Sequence, residues 1–121
     1  MNAPRTPLIN TRQGIALAGN DSELYLLFLR QFSQDETLRS LAAALRAGDA
    51  PAAYLHAHSL KGLCAQLGLC ALSEAASTVC ELLRGGNEGG LPEARARAQE
   101  VAALHEATCA AIRESGAVSF L

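Results

Sequence analysis

Apolar residues recur along this chain at the three- and four-residue spacing of helix faces, broken at intervals by glycine and proline, and no run alternates as a half-buried strand would. Pro4 and Pro7 mark a loose N-terminal arm over residues 1–8, followed by a short amphipathic piece from about Thr11 to Ala18 that stops at Gly19. Asn20 is placed to cap the next helix, with Glu23 three positions on completing a capping box. Leu24, Leu27, Phe28 and Phe32 then keep helical spacing, and Leu38, Leu41, Ala42 and Leu45 carry the stripe to Gly48. Ser33 with Glu36 offers a second capping box between them, so the chain either breaks or bends there.

Asp49 is a good N-cap, and Pro51 falls in the first turn, where a missing N–H is harmless. That helix should run to about Leu67, with Gly68 as its C′ residue. A further helix from about Ala71 to Arg84 stops at Gly85-Gly86, and Asn87-Glu88-Gly89-Gly90 reads as a flexible surface loop that tolerates insertions. Pro92 opens a last helix whose inner stripe is Val101, Leu104, Thr108 and Ile112, ending at Gly116 before a tail over 116–121. Half the residues are hydrophobic but only 4% are aromatic, so the core is built from Leu, Ala, Val and Cys at close interhelical distances. At 121 residues the chain holds one core and not two. The expected fold is all-α, an antiparallel four-helix bundle with a short additional N-terminal helix, over residues 9–115.

Several function classes are disfavoured. A net charge of −2, with ten basic residues interspersed among twelve acidic ones, leaves no basic stripe for nucleic acid. No apolar run approaches the roughly 20 residues of a membrane-spanning helix, and the first residues lack a secretory signal, so a cytoplasmic protein is expected. Cys64, Cys70, Cys80 and Cys109 have no Cys-x-x-Cys spacing and read as reduced small hydrophobes. His105 and Cys109 stand i, i+4 and form at most half a metal site without a matching second half; no metal and no intrinsic cofactor are expected.

The informative helix is the one from Asp49 to Leu67. Between Asp49 and Glu74 the chain carries a single formal charge, Lys61, its only lysine, three residues after His58. At 100° per residue Ala53, Ala57, Leu60, Cys64 and Leu67 form the buried stripe, and His58 lies nearly opposite. Tyr54, Leu55, Lys61, Gly62 and Ala65 share its hemisphere, while His56 turns towards the inner side. A glycine in mid-helix costs up to about 1 kcal/mol against alanine. Gly62, one turn after His58, therefore serves either another molecule's approach to the imidazole or a close helix crossing.

His58-x-x-Lys61-Gly62, with Gly68 beyond, resembles the motif of the histidine-containing phosphotransfer domains of multistep two-component signalling. The similarity extends through Ile9-Asn10, Gly14-Ile15, Gly19-Asn20-Asp21, Glu23-Leu24-Tyr25, Leu29, Phe32 and Ala47-Gly48-Asp49, covering about residues 9 to 84. The resemblance implies that His58 accepts a phosphoryl group from an aspartyl phosphate on a receiver domain and passes it to the aspartate of another response regulator. Lys61 would neighbour the phosphoryl oxygens, and Gly62, Ala65, Gly68, Tyr54 and Leu55 would give steric access and docking. The receiver would bring Mg²⁺, and a hybrid sensor histidine kinase would stand upstream of a monomeric carrier that is not itself an enzyme. A neutral imidazole is already a nucleophile, and a loose phosphoryl-transfer transition state asks mainly for in-line placement and charge stabilisation. In several members a Gln or Glu 22 residues after the histidine bonds its other nitrogen; here that position is Cys80, with Ser77 and Glu81 as candidate substitutes.

Two other readings compete: a helical adaptor that binds a receiver or kinase through the same face without transferring phosphate, and a metal-binding bundle resting on His105 and Cys109.

Overall fold

Short acceptor side chains start three of the helices. In the computed structural model, which describes residues 6–114, Asn10 accepts from the Gln13 amide to open α1 (Thr11–Leu17). Asp21 accepts from the Leu24 amide to open α2 (Ser22–Ser33). Asn20, the expected cap, instead turns the chain with φ +62°, a left-handed conformation that asparagine tolerates, and the capping role passes to the next residue. The chain then breaks. Asp35 accepts from the Thr37 amide at 2.8 Å, Ser33 and Glu36 form no capping box, and α3 (Thr37–Ala47) follows as a separate helix. Asp49 caps α4 (Ala50–Gln66) with Pro51 in its first turn, as the sequence leads one to expect. α5 (Cys70–Leu82) and α6 (Leu91–Glu114) complete an all-helical bundle. Residues 1–5, including Pro4, the stop at Gly116 and the tail over 116–121 lie outside the described residues.

α4 is packed between α3 and α5, and α5 in turn against α6, whereas α6 and α3 meet sparsely. Ala53, Ala57, Leu60, Cys64 and Leu67 are all at most 5% exposed, so the inner stripe of α4 is the one its periodicity indicates. Val101, Thr108 and Ile112 of α6 are likewise buried, with Leu104 half-buried. On α2 the buried side chains are Tyr25, Leu29 and Phe32, while Leu24 and Leu27 face outward, contrary to the expected stripe. The reason is a long-range bond: the Tyr25 hydroxyl donates to the Leu67 carbonyl at 2.7 Å, and the ring lies where any side chain at Gly14 would stand.

The segment before α1 is tied down where the structure describes it. The Ala71 amide donates to the Pro7 carbonyl at 3.0 Å, Thr6 Oγ1 bonds Glu74, and the Asn10 amide donates to the Gly68 carbonyl at 2.7 Å. The loop after α5 also differs from expectation. Arg84–Gly86 and Glu88–Gly90 are short 3-10 turns, Asn87 accepts from the Gly89 amide, and Gly90 is buried against the Leu82 carbonyl, where a Cβ would collide. Asn87, Glu88 and Gly89 are exposed as a surface loop should be, and the difference lies in Gly90, which is packed in place.

Candidate functional site

The face of α4 opposite its buried stripe carries His58, exposed, with Lys61 half-buried one turn on. Gly62 and Ala65 are exposed beside them, Leu55 is 61% exposed, and Tyr54 is half-buried. A Cβ built at Gly62 meets nothing within 4 Å, so no helix crosses there and the close-crossing explanation of this glycine falls away. His56 is half-buried and turned away from His58. Gly68 does not belong to this face. It is buried with φ +71°, and a Cβ would run into the Asn10 carbonyl oxygen and stand 3.1 Å from the Gly14 amide nitrogen. Its role is to end α4 and admit the N-terminal segment, which corrects its expected place in the docking surface.

α5 supplies the second wall. Ser73 Oγ donates to the Lys61 carbonyl at 3.2 Å, fixing the two helices beside the site. Burial pushes the Cys80 thiol up, so it stays a neutral S–H, although Lys61, Arg84 and a side-chain hydrogen bond from Tyr54 pull the other way. Glu81 is taken by Arg84, whose Nε donates to Oε1 at 3.1 Å while Nη2 contacts Oε2. That bond holds the Glu81 carboxyl below its ordinary range, with Lys61 adding a smaller pull. Among the described residues no group hydrogen-bonds either ring nitrogen of His58, so neither Ser77 nor Glu81 orients the imidazole as expected. What touches it is Tyr54, with ring centroids 6.1 Å apart and planes inclined by 21°.

Two features were not singled out from sequence. Arg84 brings a second cation to the α5 side of the site and lies within the field of Tyr54 and Cys80; its i, i+3 spacing from Glu81 was the available signal. On the other side of α4, a cleft of about 530 Å³ opens between Leu17 and Ala18 at the end of α1, Phe28 and Phe32 of α2, and Leu63 and Gln66 of α4. Its exposed rim includes Leu17 at 58%. That cleft joins elements far apart in sequence, which local periodicity does not reveal.

His105 and Cys109 are adjacent on α6, Sγ lying 3.9 Å from Nδ1, and the imidazole also packs on Phe32 with centroids 5.4 Å apart. Burial holds the His105 pKa below its ordinary value. Among the described residues no three His, Cys, Asp or Glu side chains converge to hold a metal. No helix among them is long and apolar enough to cross a membrane.

Comparison with known proteins found no match among curated proteins or solved structures. The sequence model of the Hpt domain matches residues 23–113, a span that contains the exposed histidine, its lysine, all of α2 but its first residue, and the whole of α3 to α5. The chain therefore belongs to the Hpt domain family, whose members are histidine phosphotransfer intermediates of two-component phosphorelays.

Proposed function

We propose that His58 is the phosphoryl acceptor, taking the group from the aspartyl phosphate of one receiver domain and giving it to the aspartate of another. The observation that carries this is the open surface around the imidazole. His58 stands exposed on the outer face of α4, and one turn away Gly62 offers no side chain and nothing beside it. A receiver's aspartate sits at the bottom of its own acidic site, so only a projecting side chain on an unobstructed helix reaches it in line. Lys61 supplies a compact charge towards the phosphoryl oxygens, and Arg84, held by Glu81, places a second cation nearby. Mg²⁺ comes with the receiver. Leu55 and Ala65, with the apolar rim at Leu17, extend the surface on which a receiver docks. A hybrid sensor kinase, whose own receiver domain would donate the group, is the natural upstream partner, and the carrier is substrate to both partners.

Incubation with a charged receiver should place acid-labile, base-stable phosphate on the protein. His58→Gln should abolish it while leaving the melting temperature nearly unchanged, since an exposed substitution costs no more than about 0.5 kcal/mol. Lys61→Ala should slow single-turnover transfer while leaving receiver binding largely intact, because a charge near the transferring group matters most in the transition state. Normal labelling of the His58→Gln protein would defeat the assignment. Receiver binding without any labelling of the wild type would favour the adaptor.

A further inference from the structure

His58 has no hydrogen-bonding partner among the described residues, yet its ring is not bare. Tyr54 precedes it by one turn on α4 and lies nearly parallel to it, the centroids 6.1 Å apart and the planes 21° off parallel. That is the i, i+4 contact of a helix face and falls within the offset-stacked range of aromatic pairs. Tyr54 is itself half-buried, and its side chain reaches far enough towards α5 to pull on the Cys80 thiol. The phenol ring is therefore partly enclosed and set nearly parallel to the imidazole. A neutral thiol at position 80 is a poor acceptor for an imidazole N–H, and the carboxylate next to it is engaged by Arg84.

We propose that Tyr54 is the positioning residue of His58, its ring doing by stacking what a hydrogen-bond acceptor would otherwise do; this rests on the phosphotransfer reading above. During transfer an imidazole nitrogen gives its lone pair to phosphorus, and the P–O bond to the donor aspartate breaks with its electron pair leaving on the carboxylate. The imidazole then carries one N–P bond, one N–H and a positive charge until that proton passes to water. An acceptor on the N–H would stabilise the cation through the ring edge. Here the electron-rich face of Tyr54 meets the cation from the side. The same contact narrows the rotation of His58 and raises the fraction of time its attacking nitrogen is in line.

The alternative role for Tyr54 is docking alone, and two donors separate the roles. Phosphoramidate is a small phosphodonor without a docking surface; a receiver domain charged with acetyl phosphate has one. Tyr54→Leu keeps apolar bulk without a π face, and Tyr54→Phe keeps the face without the hydroxyl. The leucine variant should react about three- to fivefold more slowly with both donors, the scale of an exposed cation–π contact, and the phenylalanine variant should remain within about twofold of wild type with phosphoramidate. In wild type the His58 ring protons should show an upfield ring-current displacement in NMR spectra that Tyr54→Phe retains and Tyr54→Leu loses. A leucine variant slowed with the receiver alone would return Tyr54 to the docking surface and overturn the proposal. So would wild-type His58 signals with no displacement relative to His56, a comparison that holds even if Tyr54→Leu fails to fold. If charged receivers never label wild-type His58, the relay reading fails, while the phosphoramidate rates and ring-current shifts still decide the part played by Tyr54.

Discussion

Gly62 and Gly68 stand six residues apart, one within α4 and one just beyond it, and they do opposite things. Gly62 has helical backbone and empty space where its side chain would be. Gly68 has φ +71° and a neighbouring backbone packed into that space, with Asn10 on one side and the Tyr25–Leu67 hydrogen bond next to it. One glycine leaves open space at the surface and the other makes room for the chain itself. A glycine in a motif is thus no single signal: its meaning depends on whether its missing side chain leaves a gap outside the fold or inside it.

The sharpest way to test this contrast is Gly68→Ala. A left-handed backbone forced on alanine and a collision with a carbonyl oxygen should together cost about 2–6 kcal/mol, visible as a large fall in melting temperature. Near-wild-type stability with lost phosphotransfer would instead return Gly68 to the docking surface.

Tyr25→Phe comes next. It leaves the Leu67 carbonyl without its donor, for about 1–3 kcal/mol, and should change the alkaline limb of stability as well. Burial pushes the Tyr25 hydroxyl from 10.0 to about 12, so between those values the folded protein keeps a proton that the unfolded chain has released. The Tyr25 contribution to stability is then complete below pH 10 and falls as pH rises towards 12. Cys64, pushed by burial from 9.0 to about 12, adds a fall that begins a unit lower. The fall of stability with pH from pH 8 upward should be shallower for Tyr25→Phe than for wild type; equal slopes would show that Tyr25 ionises as freely folded as unfolded.

Gly62→Gln has a smaller effect on stability and the opposite sign. It replaces a poor helix former in open space, so the protein should gain up to about 1 kcal/mol while transfer from a receiver is blocked. A stable variant that transfers at the wild-type rate would remove the steric-access account. The smallest effect is expected of His56→Gln, within about 0.5 kcal/mol and with labelling retained; loss of labelling there would mean that the acceptor has been assigned to the wrong face of α4.

The two glycines also show where sequence reasoning holds and where it stops. The outer and inner faces of α4 were legible because its alanines, Leu60 and Cys64 repeat at helical spacing and a single charge marks the opposite side. On α2 the run Leu24-Tyr25-Leu26-Leu27-Phe28-Leu29 is apolar all round, so periodicity has no face to choose. The choice falls to Tyr25 through its bond to a residue 42 positions away. Gly68 was identified as a helix terminator from its local setting, but Asn10, which seals it, arrives from the other end of the domain. Gly90 reads as part of a surface loop because nothing nearby in sequence announces the Leu82 carbonyl packed against it. At the candidate site the histidine, lysine and open glycine are legible as a spacing, whereas the i, i+3 pairing of Glu81 with Arg84 and the i, i+4 stacking of Tyr54 on His58 depend on side-chain directions that spacing alone does not fix.

Lys61 has a practical side as well. It is the only lysine in the chain, and it stands half-buried at the edge of the surface that carries His58. Apart from a terminal amine, every amine-directed reaction has one address, so an acyl fluorophore needs no engineered cysteine and reports from one helical turn away when another molecule covers the histidine. The same exclusivity makes the cell's own acylation chemistry an all-or-none event here: one acetyl group would erase the only formal charge between Asp49 and Glu74.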